Sequence, residues 1–337
     1  MFGLSGLLKT SAGRGKHYYE KLTDGQKLLY KSLSPGIESL AGEIKLPLRP
    51  LNEISLVLNC ILLDNPMIFY VTSFNMLSDL HKQKCIVRPE YKYSPSLIKQ
   101  SLATVLKYMQ VFDVVKSRSD IDKEIFVHDF CLNNYTYDYS FNDYSFSVLG
   151  PVFNKTAVCD GISKFVKLSL DYLGVYSLVV HGKAKNPANA NDDVMERHAW
   201  NIVEIEGKTY HLDVTFDLSL KDKVNRYDYF NLADQDIKKE HSIVGRVPEC
   251  ATVGNDYFSV NSMVAYSPVE LDKFIEKGLM HGKKNIVVKL KNVKDTETIV
   301  AKVLSLAQQQ YGRIYKCSGM VEVKYNSSQL VFEISFM

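Results

Sequence analysis

The stretch TAVCDGISKFVKLSLDYLG, residues Thr156–Gly174, is the part of the sequence that decides the fold. Its apolar residues, Phe165 among them, recur at helical spacing, and Gly174 is the residue type that most often ends a helix. The pattern therefore predicts a helix that begins at Cys159. The unpaired N–H groups and positive dipole at a helix start favour a thiolate, and Gly161 leaves room beside the sulfur for another backbone. Cys159 is either a nucleophile or a buried small apolar residue, which is a common role for free cysteine.

The segment HAWNIVEIEGKTYHLDVTF, residues His198–Phe216, predicts two strands joined by a turn at Glu206–Gly207. With a two-residue turn, counting outward places His198 opposite Thr215. His198 and Asp213 then project to the same face of the hairpin as diagonal neighbours, close enough for their side chains to meet. Such a carboxylate can orient an imidazole that acts as a base.

Other histidines compete for that role. His211 falls on the same predicted face as Asp213, His181 ends the preceding strand, and His128 lies beside Asp129 on a helix. The residues alone leave the choice among these histidines open.

Composition indicates a soluble globular protein that has no nucleic-acid partner and no membrane insertion. The chain has 337 residues, 46% of them hydrophobic and 23% charged, and its formal net charge of +3 is too small for a nucleic-acid binder. No stretch approaches the ~18 apolar residues of a membrane helix. The 6 cysteines include no CxxC pair, so the signal of a metal ribbon is absent, and no metal site and no cofactor are expected. Six cysteines in a chain of this length are too few for a disulfide scaffold, which favours a reducing compartment. Because the basic residues near the start follow the apolar ones, no secretory signal is recognised and a cytoplasmic location is expected.

Three regions are predicted along the chain. Residues 1–115 form a mainly helical N-terminal region, in which Pro89 makes CIVRPEYKY an edge strand or an extended link. Residues 116–260 form a core, and residues 261–337 form a small α/β C-terminal domain of helix, strand, helix and hairpin. The order of elements predicts an α+β fold.

The segments AVCDGISKFVKLSLDYLGV and HAWNIVEIEGKTYHLDVTFD resemble the core of the transglutaminase-like superfamily, in its bacterial-type, cysteine protease-like form. The resemblance covers roughly residues 116–260 and includes IFVHDFCLNNYTYDYS and YDYFNLADQDIKKEH. It implies a papain/transglutaminase-like core, in which a helix bearing the cysteine packs on an antiparallel sheet bearing the histidine and the aspartate. It also implies a triad in which Cys159 is the nucleophile, His198 the general base and acid, and Asp213 the orienting carboxylate.

The resemblance implies an acyl-transfer enzyme that acts on protein or peptide amide bonds through a thioester. Hydrolysis by a protease, deamidase or amidase is favoured. Asp160 follows the cysteine where the blood-clotting branch has tryptophan, which points away from that branch. Two alternatives are a glutamine–amine transamidase that crosslinks proteins and an inactive protein-interaction module on the same scaffold.

Two further residues have open roles in the expected site. The backbone N–H of Cys159 is one candidate oxyanion donor, and Tyr137 is either a second donor or a packed aromatic residue. Trp200 is either a core residue or part of the acyl pocket. The sequence leaves the physiological substrate and the oligomeric state open.

Overall fold

The computed structural model describes residues 16–185, 194–293 and 296–337, except for the side chains of residues 296 and 297. Residues 1–15 of the predicted N-terminal region lie outside this part. The chain divides into two compact units, one of residues 1–181 and 198–209 and the other of residues 182–197 and 210–337. The fold is mixed α+β. This division runs through the predicted core, and the three predicted domains stay a prediction.

The first unit begins with helices and a small sheet. Its elements are α1 (His17–Glu20), α2 (Asp24–Glu38), β1 (Ile44–Pro47), α3 (Leu51–Asp64), β2 (Val71–Asp79) and β3 (Lys84–Tyr91). The three strands form an antiparallel sheet in the order β1-β3-β2. This sheet is a departure from the expectation of helix, and β3 is its central strand rather than an edge. Pro89 fits there because β1 pairs with β3 only as far as Val87, so the backbone of Pro89 has one neighbouring strand, at Phe74.

The second half of the first unit is built around one buried helix. Its elements are α4 (Pro95–Met109), a 3₁₀ helix (Gln110–Val115), α5 (Asp120–Asn134), β4 (Thr136–Tyr137), a π-helical turn (Gly150–Asn154), β5 (Thr156–Ala157) and α6 (Cys159–Leu173). Phe165 of α6 is buried, and its ring lies 5.2 Å from that of Tyr135 and 6.1 Å from that of Phe112. Helix α6 therefore begins and ends where the sequence predicts, with Gly174 at φ 78° after it.

A sheet follows, formed by β6 (Ser177–Ala184), β7 (Glu196–Ile205) and β8 (Lys208–Leu212), with β7 between the other two. The predicted two-residue turn is present, since Glu206 and Gly207 both have positive φ, at 53° and 74°. The predicted second strand is too long, because β8 ends at Leu212 and α7 (Val214–Leu220) begins immediately afterwards. Thr215 is therefore helical, and the expectation that it lies opposite His198 is wrong.

In the second unit, β9 (His241–Ile243) pairs antiparallel with the end of β6, Gly182–Ala184. Helices α8 (Asp234–Ile237) and α9 (Tyr257–Val260) are single turns on either side of an irregular stretch, residues 244–256. Ala184, Phe216 and Tyr229 belong to a small buried cluster here.

The rest of the second unit contains the helix, strand, helix and hairpin that the sequence predicts. Its elements are β10 (Val264–Ala265), α10 (Pro268–Met280), β11 (Asn285–Leu290), α11 (Thr296–Tyr315), β12 (Val321–Asn326) and β13 (Val331–Phe336). The strands form one sheet in the order β10-β11-β13-β12, in which β10 and β11 are parallel. Ile275, Val288, Val303 and Phe332 are fully buried in the core between the helices and this sheet.

Buried polar bonds join the C-terminal hairpin to an earlier part of the same unit. Arg226 donates to both carboxylate oxygens of Asp228, at 2.9 and 2.7 Å, and to Glu333 of β13 at 3.2 Å. All three side chains are buried. Asn326 Nδ2 donates to the hydroxyl of Tyr229 at 3.2 Å. The hairpin therefore helps to satisfy charges that residues 226–229 bury.

Within the part of the chain that the structure describes, none of the helices has both the length and the apolar composition of a membrane span.

Candidate active site

Cys159 is the first residue of α6 and is half-buried. Val158 precedes it in an extended conformation and accepts the Ile162 N–H at 3.0 Å, which starts the helix. The N–H groups of the first helical turn have no partner within a helix. Ile162 and Phe165, in the first two turns, are buried. Cys159 thus has the helix-start position and the partial exposure that a nucleophile requires.

A close approach between backbones fixes the start of α6. A Cβ atom placed on Gly161 would lie 2.1 Å from the carbonyl oxygen of Ser145 and 3.0 Å from the Cβ of Ala157. The same Ser145 oxygen accepts the Val158 N–H at 3.1 Å. The sequence predicted that another backbone approaches at Gly161, and Ser145 is that neighbour.

The segment before the cysteine is organised around the buried carboxylate of Asp138. Asp138 accepts the backbone N–H groups of Ser140 and Asn142 at 2.8 and 3.0 Å, and also the hydroxyl of Ser145. Hydrogen bonds from the Ser140 and Ser145 hydroxyls hold the pKa of Asp138 well below its usual range, although desolvation opposes them. Asp138 therefore holds the backbone of Ser145 at the place where it meets Gly161.

Tyr137 lies in β4, which pairs in parallel with β5 just before the cysteine. Its backbone is paired with Ala157, and its half-buried ring lies 5.0 Å from that of Tyr139. The roles of oxyanion donor and packed aromatic residue are both compatible with this position, and its role stays a prediction.

His198 and Trp200 lie on β7, two residues apart, and their rings stack with centroids 5.9 Å apart. His198 is half-buried, whereas Trp200 is 1% exposed and so belongs to the core. Next to them, Asn201 Nδ2 donates to the carbonyl oxygen of Ser163 at 2.9 Å and to that of Leu178 at 3.3 Å. Since Ser163 lies one helical turn after the cysteine, Asn201 ties the histidine strand to the first turn of α6.

Asp213 follows the last residue of β8 and caps α7. One of its oxygens accepts the Phe216 N–H at 3.1 Å, and the other lies 2.9 Å from Nε2 of His241, with both side chains fully buried. Aspartate is a favoured N-cap residue, which explains why the chain turns into a helix where strand was predicted. The second strand thus ends one residue before Asp213, and the pairing of His198 with Asp213 stays a prediction.

The competing histidines all have carboxylate neighbours. His181 Nε2 lies 2.9 Å from Asp160, and His128 Nδ1 lies 3.3 Å from Asp129. Burial acts to raise the pKa of Asp160, but the His181 hydrogen bond and the charge of Lys164 outweigh it and leave the pKa below its usual value. The residue that follows Cys159 is thus a charged carboxylate held by two neighbours.

Sequence reasoning missed three residues that organise this region. Asn201 and His241 are within the segments that carry the family resemblance, yet no role was assigned to either of them. Asp138 could have been found from its surroundings, because an aspartate followed by serine and asparagine is typical of a side chain that caps its own turn.

A cleft of about 250 Å³ opens beside the start of α6 in the first unit. Asp160 and Lys164 line one side, and Phe69, Tyr93 and Phe146 contribute aromatic surface. Such a mixture of apolar walls and a few charged groups is typical of a ligand-binding cleft.

Comparisons with known proteins give only distant similarity. No family model and no curated protein matches the chain. A solved structure of a transglutaminase (TGase) has a TM-score of 0.29 and 16% identity, over 46% of this chain and 47% of that one. A candidate cysteine protease from Cytophaga hutchinsonii has a TM-score of 0.29 and 13% identity, over 55% and 77% of the two chains. A candidate protease from Parabacteroides distasonis has a TM-score of 0.26 and 14% identity, over 42% of this chain and 36% of that one. The chain thus spans less than half of the transglutaminase, and the similarity concerns part of the fold only.

Proposed function

We propose that this protein is a transglutaminase-like cysteine enzyme that hydrolyses amide bonds of proteins or peptides. Cys159 is the nucleophile, His198 the general base and acid, and Asp213 the carboxylate that orients the histidine. Tyr137 is the candidate for the second oxyanion donor, and Trp200 is a buried core residue whose ring stacks with that of His198.

The observation that carries the proposal is the position of Cys159. It is a half-exposed cysteine at the first residue of a buried helix, and that start is held by Ser145 against Gly161. Structural cysteines are usually buried and inert, as Cys131 is in this chain, where burial raises the pKa of the thiol. A fixed helix start and an accessible sulfur are the features that covalent catalysis requires.

The chemistry follows two steps. In the first, His198 removes the Cys159 proton while the sulfur attacks the amide carbonyl, and the protonated His198 then gives that proton to the leaving amine. The backbone N–H of Cys159 stabilises the oxyanion in both steps. In the second step, water activated by His198 attacks the thioester, the C–S bond breaks, and the thiol regains its proton.

Hydrolysis is favoured over transfer to an amine because Cys159 is partly open to solvent. Transamidation requires that water is kept from the thioester while a second substrate enters. The cleft lined by Asp160, the residue after the nucleophile, offers a surface for the substrate chain.

The test is the rate at which iodoacetamide alkylates each cysteine of the full-length protein at pH 6. Cys317 is exposed and provides the internal reference. Cys60 is a poor competitor, since burial and the charge of Asp64 raise its pKa to about 11. We expect Cys159 to react about tenfold faster than Cys317, because in the proposed site a neighbouring imidazole base activates its sulfur.

The His198→Gln variant should reduce the Cys159 rate to that of Cys317, and Asp213→Asn should reduce it in part. The matched control is His81→Ala, which changes an exposed histidine of the same unit and should leave the rate unchanged. Equal rates at Cys159 and Cys317 in the unmodified protein would refute an activated nucleophile.

A second assay separates hydrolysis from transfer. Casein is incubated with the protein and a fluorescent primary amine, and both peptide release and amine incorporation are measured. Release of peptides, or deamidation of casein, without incorporation of the amine supports hydrolysis. Incorporation of the amine that requires Cys159 would instead indicate transamidation.

A further inference from the structure

A second cluster of cysteine, histidine and aspartate lies within the second unit. His211 lies near the end of β8, Asp234 begins α8, and Cys250 lies in the irregular stretch 244–256. One ligand atom from each, a ring nitrogen, a carboxylate oxygen and the sulfur, lie within 4.8 Å of one another. Three separate chain segments therefore bring three different donor types to one point.

Backbone bonds hold the three segments in place. His211 and Leu232 exchange both of their backbone hydrogen bonds at 2.9 Å, and the Asp234 N–H donates to the carbonyl oxygen of Cys250 at 2.8 Å. The donors are thus preorganised by the fold.

Burial argues against a second nucleophile here. Cys250 has no exposed surface, so its sulfur is out of reach of any protein or peptide substrate. The side chain of His211 is also fully buried, whereas that of Asp234 is 22% exposed. A small ion accompanied by water can reach the cluster from the Asp234 side, but a polypeptide is excluded.

Two of the three donor groups already contact each other. Nε2 of His211 lies 2.8 Å from one oxygen of Asp234, and an ion bound there would replace this hydrogen bond. The second oxygen of Asp234 lies 2.9 Å from Lys238 Nζ. An outer partner such as Lys238 orients a ligating carboxylate.

We propose that His211, Asp234 and Cys250 bind a Zn²⁺ ion, with water as the fourth ligand. Thiolate, imidazole and carboxylate are the ligand types of zinc sites, and three protein ligands with one water is a known zinc arrangement. On binding, a Zn–S bond forms and the Cys250 thiol proton passes to solvent, while Nε2 of His211 exchanges its hydrogen bond to Asp234 for a bond to the ion and the proton of the neutral ring moves to Nδ1. The ion crosslinks the irregular stretch 244–256 to β8 and α8. This site is independent of the proposed hydrolase activity.

The test titrates the EDTA-treated, desalted full-length protein with Co²⁺ and then displaces it with Zn²⁺. A Co²⁺–thiolate bond gives a charge-transfer absorption band in the near ultraviolet, and its saturation counts the bound metal. We expect one Co²⁺ per chain, a band that Cys250→Ser abolishes, and Zn²⁺ affinity that this variant lowers by more than about tenfold, since even outer partners of zinc ligands contribute that much.

Two matched control variants retain Cys250. Cys317→Ser removes an exposed thiol and Cys159→Ser removes the proposed nucleophile, and both variants should still show the charge-transfer band. Asp234→Asn, at a partly exposed position, should keep the fold by circular dichroism and lower Zn²⁺ affinity, which provides a test if Cys250→Ser does not fold. The proposal is overturned if no Co²⁺ binds, or if the band persists in Cys250→Ser and disappears in Cys159→Ser.

Discussion

Substitution of Gly161 by alanine should destabilise α6, although the same change usually stabilises a helix. Alanine gains about 1 kcal/mol over glycine from helix propensity. The new Cβ would stand 2.1 Å from the carbonyl oxygen of Ser145, against an ordinary contact distance of about 3.5 Å. That oxygen also accepts the Val158 N–H at 3.1 Å, so the two backbones cannot separate without weakening this bond.

The magnitude follows from these opposing effects. Overpacking at a site that cannot relax costs about 1–3 kcal/mol, and here the neighbour is backbone, which places the cost at the upper end. After the propensity gain, the net destabilisation is about 1–2 kcal/mol. A shift of that size changes an opening equilibrium by a factor of about 5–30.

The assay is hydrogen–deuterium exchange of peptides from α6, because local opening free energies report on one element of a large chain. In Gly161→Ala these amides should exchange about 5–30-fold faster, and alkylation of Cys159 should change as its position relaxes. The control is Gly42→Ala, where an added Cβ meets no atom within 4 Å and stability should be unchanged or higher. Exchange in Gly161→Ala at or below the original rate would show that Ser145 does not clamp the helix start.

Three other outcomes are expected from buried polar groups of the first unit. Lys167 donates to both oxygens of Asp171, at 3.2 and 2.9 Å, so Lys167→Met should lower stability in urea by about 3–5 kcal/mol, and adding Asp171→Leu should recover most of it. Burial raises the pKa of Asp171 to about 6 despite Lys167, compared with about 3.9 in the unfolded chain. The contribution of Asp171 to stability is therefore fully present below about pH 3.9 and is lost as the pH rises through about 6. From pH 3.5 to 7.5, the free energy of unfolding of the original protein should therefore decrease relative to that of Asp171→Asn. A difference that does not change with pH would contradict this prediction. Asn201→Leu leaves two buried carbonyl groups without their amide donor and should lower stability by about 1–3 kcal/mol. It should also slow alkylation of Cys159. An unchanged alkylation rate would show that Asn201 does not position the nucleophile.

Elements with local signals were predictable from the sequence. Helix α6 has apolar residues at helical spacing and a glycine at φ 78° after it, so both of its ends were visible. The C-terminal hairpin and its flanking helices were found for the same reason, because each begins or ends at a recognisable cap or turn. The close approach at Gly161 was also predictable, since a glycine in the first turn of a helix costs stability and is favoured there when a neighbouring backbone leaves no room for a Cβ atom.

Features that depend on tertiary contacts were not predictable. The strand β2 is exposed and polar along much of its length, so its pairing with β3 has no hydrophobic signal. The change from strand to helix at Asp213 was missed because the same aspartate fits a strand end and a helix cap equally well. The partnership of His241 with Asp213 joins residues far apart in the chain, and no spacing rule indicates it.

The bonds that Arg226 makes to Asp228 and Glu333 have a consequence for engineering this chain. A protein shortened to end at residue 260 would keep the guanidinium and the Asp228 carboxylate but lose the second acceptor, and Tyr229 would lose Asn326. The separated hairpin would in turn carry Glu333 without the Arg226 guanidinium that pairs with it. Residues 261–337 should therefore fail to fold when they are grafted, exchanged or expressed alone, unless residues 226–229 are included or the buried charges are removed at the same time.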